Sequence, residues 1–197
     1  YYPDVFAAAL LNSQPMGFYQ PAQLIIDARK HGVTVLPVDI NYSDWDNTLE
    51  GETGAVPHKL RLGFRQVKGL TAENLEKLIQ CRHKPYTRVA EVADAVSICT
   101  LERLADADAF RSIGLDRRQA LWEVAAVQDR HVALFKGQDT GSVQEKQIRL
   151  PFMAESEHVV QDYATTGLSI KAHPVSFLRK KLDLLHVLPT DKLPRVK

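Results

Sequence analysis

Between Leu62 and Ile79 the chain sets one glycine, Gly69, between two short patterned runs, and that leaves few folds open to it. Upstream, Gly63-Phe64-Arg65-Gln66-Val67-Lys68 predicts a short helix over 63–68. Downstream, apolar residues at 72, 75, 78 and 79 predict a second helix over 71–82, with Thr71 where an N-cap is useful. Lys68-Gly69-Leu70 is then a tight turn. A glycine at such a turn lets the backbone bend sharply and be approached closely, while the first amides of the next helix point at whatever lies outside.

This is the layout of a helix-hairpin-helix, a DNA-binding motif that grips phosphates. The backbone around Gly69, Leu70 and Thr71 is the expected contact, with Arg65, Lys68 and Lys84 adding salt-sensitive attraction that reads no base sequence. Such hairpins commonly carry two glycines two positions apart, whereas Thr71 occupies the second place here. An ordinary helix-turn-helix packing unit fits the same pattern. A second, weaker candidate runs from Leu101 to Arg111 and on through Leu115-Asp116-Arg117-Arg118, with Ala107, Ala109 and Arg111 at its turn. That turn is acidic, which disfavours a phosphate, so a plain helix pair remains open there.

Charge is distributed unevenly behind a formal net charge of +1. Residues 1–57 hold two basic and seven acidic side chains, whereas 58–88 hold eight basic and two acidic. The tail from residue 171 is basic again, seven against two. A local basic block can meet a polyanion although the whole chain is near neutral.

The expected fold is mainly α with a small β component: a tandem helix-hairpin-helix domain preceded by a small helix-helix-strand unit. The first unit, 1–57, has a helix over Asp4–Leu11, a second from Pro21 to Gly32, and a strand over Val33–Val38, with a polar loop or irregular hairpin from Asn41 to Pro57 as the boundary. The hairpin domain, 58–127, adds helices near 87–96, 100–106 and 115–127, with Thr87, Thr100 and Asp116 at N-cap positions. A connector, 128–197, follows; its regular patterning fades over 128–156, and it resumes with helices near 157–165 and from Pro174 into Lys181.

Several chemistries find no support. Asp44-Trp45-Asp46 with Glu50 could pass for a two-metal cluster but reads as a polar loop. The two cysteines, Cys81 and Cys99, have no metal or disulfide spacing, and the seven histidines are scattered. Neither a GxxxxGK loop nor a nucleophile elbow is present, and catalytic residues are expected to be none. With no signal peptide and no stretch approaching the roughly 20 apolar residues of a membrane span, a reducing, cytoplasmic location is expected. Tyr1-Tyr2-Pro3 without a methionine and the proline-punctuated close Leu193-Pro194-Arg195-Val196-Lys197 are what a piece of a longer chain would show.

Ordered landmarks run along the chain: Tyr2-Pro3 with Phe6-Ala7-Ala8-Ala9-Leu10-Leu11-Asn12, Leu36-Pro37-Val38-Asp39-Ile40-Asn41, Leu60-Arg61-Leu62-Gly63-Phe64 with Val67-Lys68-Gly69, and Leu104-Ala105-Asp106-Ala107-Asp108-Ala109-Phe110. Together they resemble the alpha subunit of bacterial DNA polymerase III, a C-family polymerase. Leu115-Asp116-Arg117-Arg118 and the run Asp162 to Pro174 resemble its error-prone, ImuC-type branch. The resemblance implies the end of the fingers domain, the tandem hairpins that hold double-stranded DNA behind the active site, and a connector toward an OB-fold. It implies magnesium ions at a palm upstream, with no cofactor in this segment. It also implies work in a complex with an inactive Y-family-like mutagenesis partner. His131-Val132-Ala133-Leu134-Phe135 is similar to the short sliding-clamp-binding peptide of polymerases, with Leu134 and Phe135 as anchors and His131 where a glutamine is expected. A protein-docking module is thus the main rival to a DNA-gripping segment, and a free-standing repair protein with paired hairpins is a third.

Overall fold

The computed structural model describes residues 2–51, 58–130 and 150–189. Helix α1 (Pro3–Asn12) and helix α2 (Pro21–Lys30) each open on a proline, whose fixed φ suits a first helical position and whose missing N–H has no partner to lose there. Ala7, Ala8, Leu11, Ile25 and Ala28 turn inward from the pair.

Strand β1 (Val35–Leu36) is shorter than the Val33–Val38 run expected. The polar stretch expected as a loop or an irregular hairpin contains β2 (Thr48–Glu50), and β3 (Lys59–Arg61) follows it. The strand order is β1-β3-β2, with β1 parallel and β2 antiparallel to β3. The sheet therefore joins residues on both sides of position 57, with Leu49 opposite Leu60 in register.

The first hairpin helix is not an α-helix. Phe64–Gln66 makes a single 3-10 turn: Val67 N–H bonds the Phe64 carbonyl at 2.9 Å, while Lys68 N–H, the donor an α-helix would use there, goes to Thr165 at 2.9 Å. The remaining helices are α3 (Ala72–Gln80), α4 (Val89–Ala93), α5 (Ile98–Asp106), α6 (Arg117–Arg130), α7 (Glu155–Thr165) and α8 (Arg179–Leu184), the last preceded by a 3-10 turn over Pro174–Leu178. Two caps differ from expectation. Ser97, not Thr100, caps α5, its hydroxyl accepting the Thr100 N–H at 3.2 Å, and Arg88, not Thr87, stands at the start of α4.

A single buried cluster links the sheet unit to the helices, with Leu11, Ile40, Leu60, Phe64, Leu75, Leu78, Leu101, Leu104 and Phe110 among its fully buried members. Polar ties cross the same junction. Ile40 N–H donates to Ala109 at 2.9 Å, Ser112 N–H to Asp39 at 3.1 Å, and Asn41 holds Tyr86 through both its amide groups.

Candidate nucleic-acid interface

Thr71 begins α3 with a full capping box: its hydroxyl accepts the Asn74 N–H at 3.4 Å, and the Asn74 side chain accepts the Thr71 N–H at 3.3 Å. Gly69 has φ +78°, a conformation costly for residues with a Cβ, and Gly69 and Thr71 are exposed while Leu70 is buried. The turn and capped helix expected from sequence are therefore present.

The cations around the turn are placed differently from expectation. Arg65 is not a free helper. Its guanidinium donates to Asp46 at 2.6 Å and to the carbonyls of Asn12 and Gln14 at 2.6 and 2.9 Å, fastening the sheet unit. Lys68 caps the C-terminal end of α7: its N–H donates to Thr165 and its ammonium to Tyr163 and Ala164, at 2.9 to 3.1 Å. A cation there also meets the negative end of the helix dipole. Lys84 is exposed and makes no side-chain hydrogen bond or ion pair among the described residues.

Half of the basic block is paired within the molecule, four of its eight cations having a carboxylate in contact, among them Arg88 with Glu91 at 3.4 Å. Arg61 pairs with Glu50 at 2.7 Å, Arg65 with Asp46 and Arg82 with Asp44 at 2.6 Å each. In these pairings the Asp44, Asp46 and Glu50 carboxylates each face a different arginine. Among the described residues no group of His, Cys, Asp and Glu gathers as a metal site would.

The second turn lies further along than expected. Ala107 and Ala109 are buried, and both main-chain groups of Ala109 are occupied, its N–H by Leu104 and its carbonyl by Ile40. Arg111 is partly exposed but bonded to Asp108 at 2.8 Å and to His158 at 3.2 Å. The stretch that repeats the first turn is Phe110 to Asp116. Phe64 and Phe110 are each fully buried, a 3-10 turn follows in each, Gly69 and Gly114 have φ +78° and +82°, and Leu70 and Leu115 follow them. Asp116 then caps α6 as Thr71 caps α3, accepting the Gln119 N–H at 2.8 Å. The signal was legible as Phe-Arg-x-(Val/Ile) followed by Gly-Leu and an N-cap residue, with Lys68 as a one-residue insertion. Burial works to raise the Asp116 pKa, but the N–H groups of Gln119 and Met153 more than offset it and hold the carboxyl below its usual range.

Behind this second turn lies a buried ionic cluster. Arg117, 1% exposed, donates to Asp162 at 2.6 Å; Lys171 reaches Asp108 at 3.1 Å and Asp162 at 3.2 Å. His158 lies between Arg111 at 3.2 Å and Arg117 at 3.3 Å. A neutral imidazole can accept from one of them; a protonated one can accept from neither. Burial, reinforced by Lys171, Arg111 and Arg117 and opposed by Asp108, holds its pKa below the ordinary 6.5. The unfolded chain therefore binds this proton more readily than the folded one. Stability is fully present above about pH 6.5 and is lost as the pH falls from there toward the depressed folded value. His158→Gln is expected to flatten the fall in urea midpoint between about pH 7 and pH 5; an unchanged slope would assign the pH response to other groups.

Leu134 and Phe135, the expected clamp-peptide anchors, lie outside the described residues. Among the described residues, no helix is long and apolar enough to cross a membrane.

A family profile described as helix-hairpin-helix motif matches residues 32–120, a span that takes in both glycine turns and β1 to β3. The error-prone DNA polymerase of Sinorhizobium medicae is 48% identical over 98% of this chain and 19% of its own length. Error-prone DNA polymerase 1 of Rhizobium meliloti is 50% identical over the same shares, and the error-prone DNA polymerase of Brucella abortus is 51% identical over 92% of this chain and 17% of its own. The chain thus spans about a fifth of the length of the curated relatives it matches. Identity of this order, sustained along almost the whole chain and enclosing a helix-hairpin-helix unit with two capped glycine turns, makes the chain a homologue of one segment of the error-prone DNA polymerases.

Proposed function

We propose that this chain is a duplex-gripping, non-catalytic segment of an error-prone, DNA-directed DNA polymerase engaged in translesion synthesis. It holds double-stranded DNA by its phosphates without reading base sequence. The observation that carries the reading is the first turn: an exposed Gly69 at positive φ leading into the N-terminus of α3, whose cap, Thr71, is uncharged. The repeat of that geometry at Gly114 supplies a second, weaker contact, weaker because its cap is the acidic Asp116. Lys84 adds exposed charge beyond the far end of α3.

Ala72 is exposed in the first turn of α3 and provides the test. A glutamate there suits the helix dipole and leaves stability unchanged or slightly raised, but it sets a negative charge against the proposed phosphate. Ala72→Glu is expected to weaken duplex affinity at least about fivefold at low salt, from about 1 kcal/mol of like-charge repulsion at contact distance. Fluorescence anisotropy with two unrelated duplex sequences should show the same loss for both. Unchanged affinity would move the phosphate away from this turn.

A further inference from the structure

We propose that Arg103, a residue of α5, is the phosphate-binding cation of the first glycine turn, so that this anion site is built jointly by the two hairpins. The inference rests on the duplex-gripping reading above and assigns its main charge.

Arg103 lies across the turn from the neighbouring helix. Its Nη1 donates to the Lys68 carbonyl at 3.0 Å, and a Cβ on Gly69 would come within 1.8 Å of that nitrogen. Here the missing side chain is what admits the guanidinium. The rest of the fork is unused: Nε and Nη2 have no hydrogen-bond partner among the described residues, and the residue is exposed.

Its charge is also outside any ion pair among the described residues, although Asp106 on the same helix feels it at longer range. Arg61, Arg65, Arg82, Arg111 and Arg117 each have a carboxylate within ion-pair distance, whereas Arg103 has none among the described residues. The neighbouring Lys68 is likewise bonded to carbonyl oxygens alone. Arg103 is thus the cation that lies against the exposed turn without an ion-pair partner, while the Lys68 ammonium is held at the end of α7. A guanidinium held at one edge and open at the other suits bidentate contact with two oxygens of a phosphodiester. Because it reads no base, it contributes affinity and salt dependence but no sequence preference.

The test is duplex binding by the intact protein as a function of salt, comparing wild type with Arg103→Gln and Arg103→Lys. Glutamine keeps a donor for the Lys68 carbonyl and removes the charge; lysine keeps the charge. The plot of log affinity against log salt is expected to lose about one unit of slope in Arg103→Gln and to regain it in Arg103→Lys. Wild-type binding with an unchanged slope and affinity in Arg103→Gln would overturn the assignment while leaving the duplex-gripping reading in place. Equal loss of affinity in both variants at unchanged slope would make Arg103 a packing residue and overturn it too. No salt-dependent duplex binding by wild type would remove both readings.

Discussion

Asp162→Ala is expected to destabilise the protein by about 3–5 kcal/mol, the cost of leaving buried charge without its partner. Asp162 receives Arg117 at 2.6 Å, Lys171 at 3.2 Å and the Ser169 hydroxyl at 2.8 Å. Its removal strands a guanidinium that is 1% exposed and whose Nε already lacks a partner. Asp108 can draw Lys171 but is already committed to Arg111. Since Asp162 and His158 lie on α7 and Arg117 on α6, the variant should loosen α7 from the second hairpin as well as lower the urea midpoint. Amide hydrogen exchange along α7 would report the loosening directly. A loss below about 1 kcal/mol would mean that the cluster behaves as solvent-exposed ion pairs do.

Phe110→Ala is expected to cost a similar amount, about 3–5 kcal/mol, from lost apolar burial and the cavity left behind. Phe64→Ala should match it, because the two rings are both fully buried and occupy equivalent places before the two glycine turns. Each ring anchors the 3-10 turn that carries the chain toward Gly69 or Gly114. The loss should therefore appear both in urea unfolding and as weaker duplex binding at temperatures where the fold persists. A cost under about 1 kcal/mol at either position would show that the surrounding side chains collapse into the space, and the proposed equivalence of the turns would fail at that position.

The first turn was legible because its determinants are local. A glycine at positive φ and a threonine whose hydroxyl meets the amide three residues on are decided within six residues, Gly69 to Asn74. The same holds for the proline starts of α1 and α2 and for the capping position of Asp116. For the second turn the sequence points instead to the Ala-Asp-Ala-Asp-Ala run over residues 105–109. That run is where α5 ends against Ile40, and the positive φ of Asp108 there turns its carboxylate inward to Arg111 and Lys171.

Charge shows the division most clearly. Sequence alone established an acidic first segment, a basic second one and a capped glycine turn between short helices, because composition and local hydrogen bonding need no knowledge of distant neighbours. Only the tertiary structure decided that Arg61, Arg65 and Arg82 face Glu50, Asp46 and Asp44, that Lys68 closes α7, and that Arg103 lies over Gly69. Electrostatic energy depends on separation in space, and the chain brings together charges that lie 11 to 63 residues apart along it.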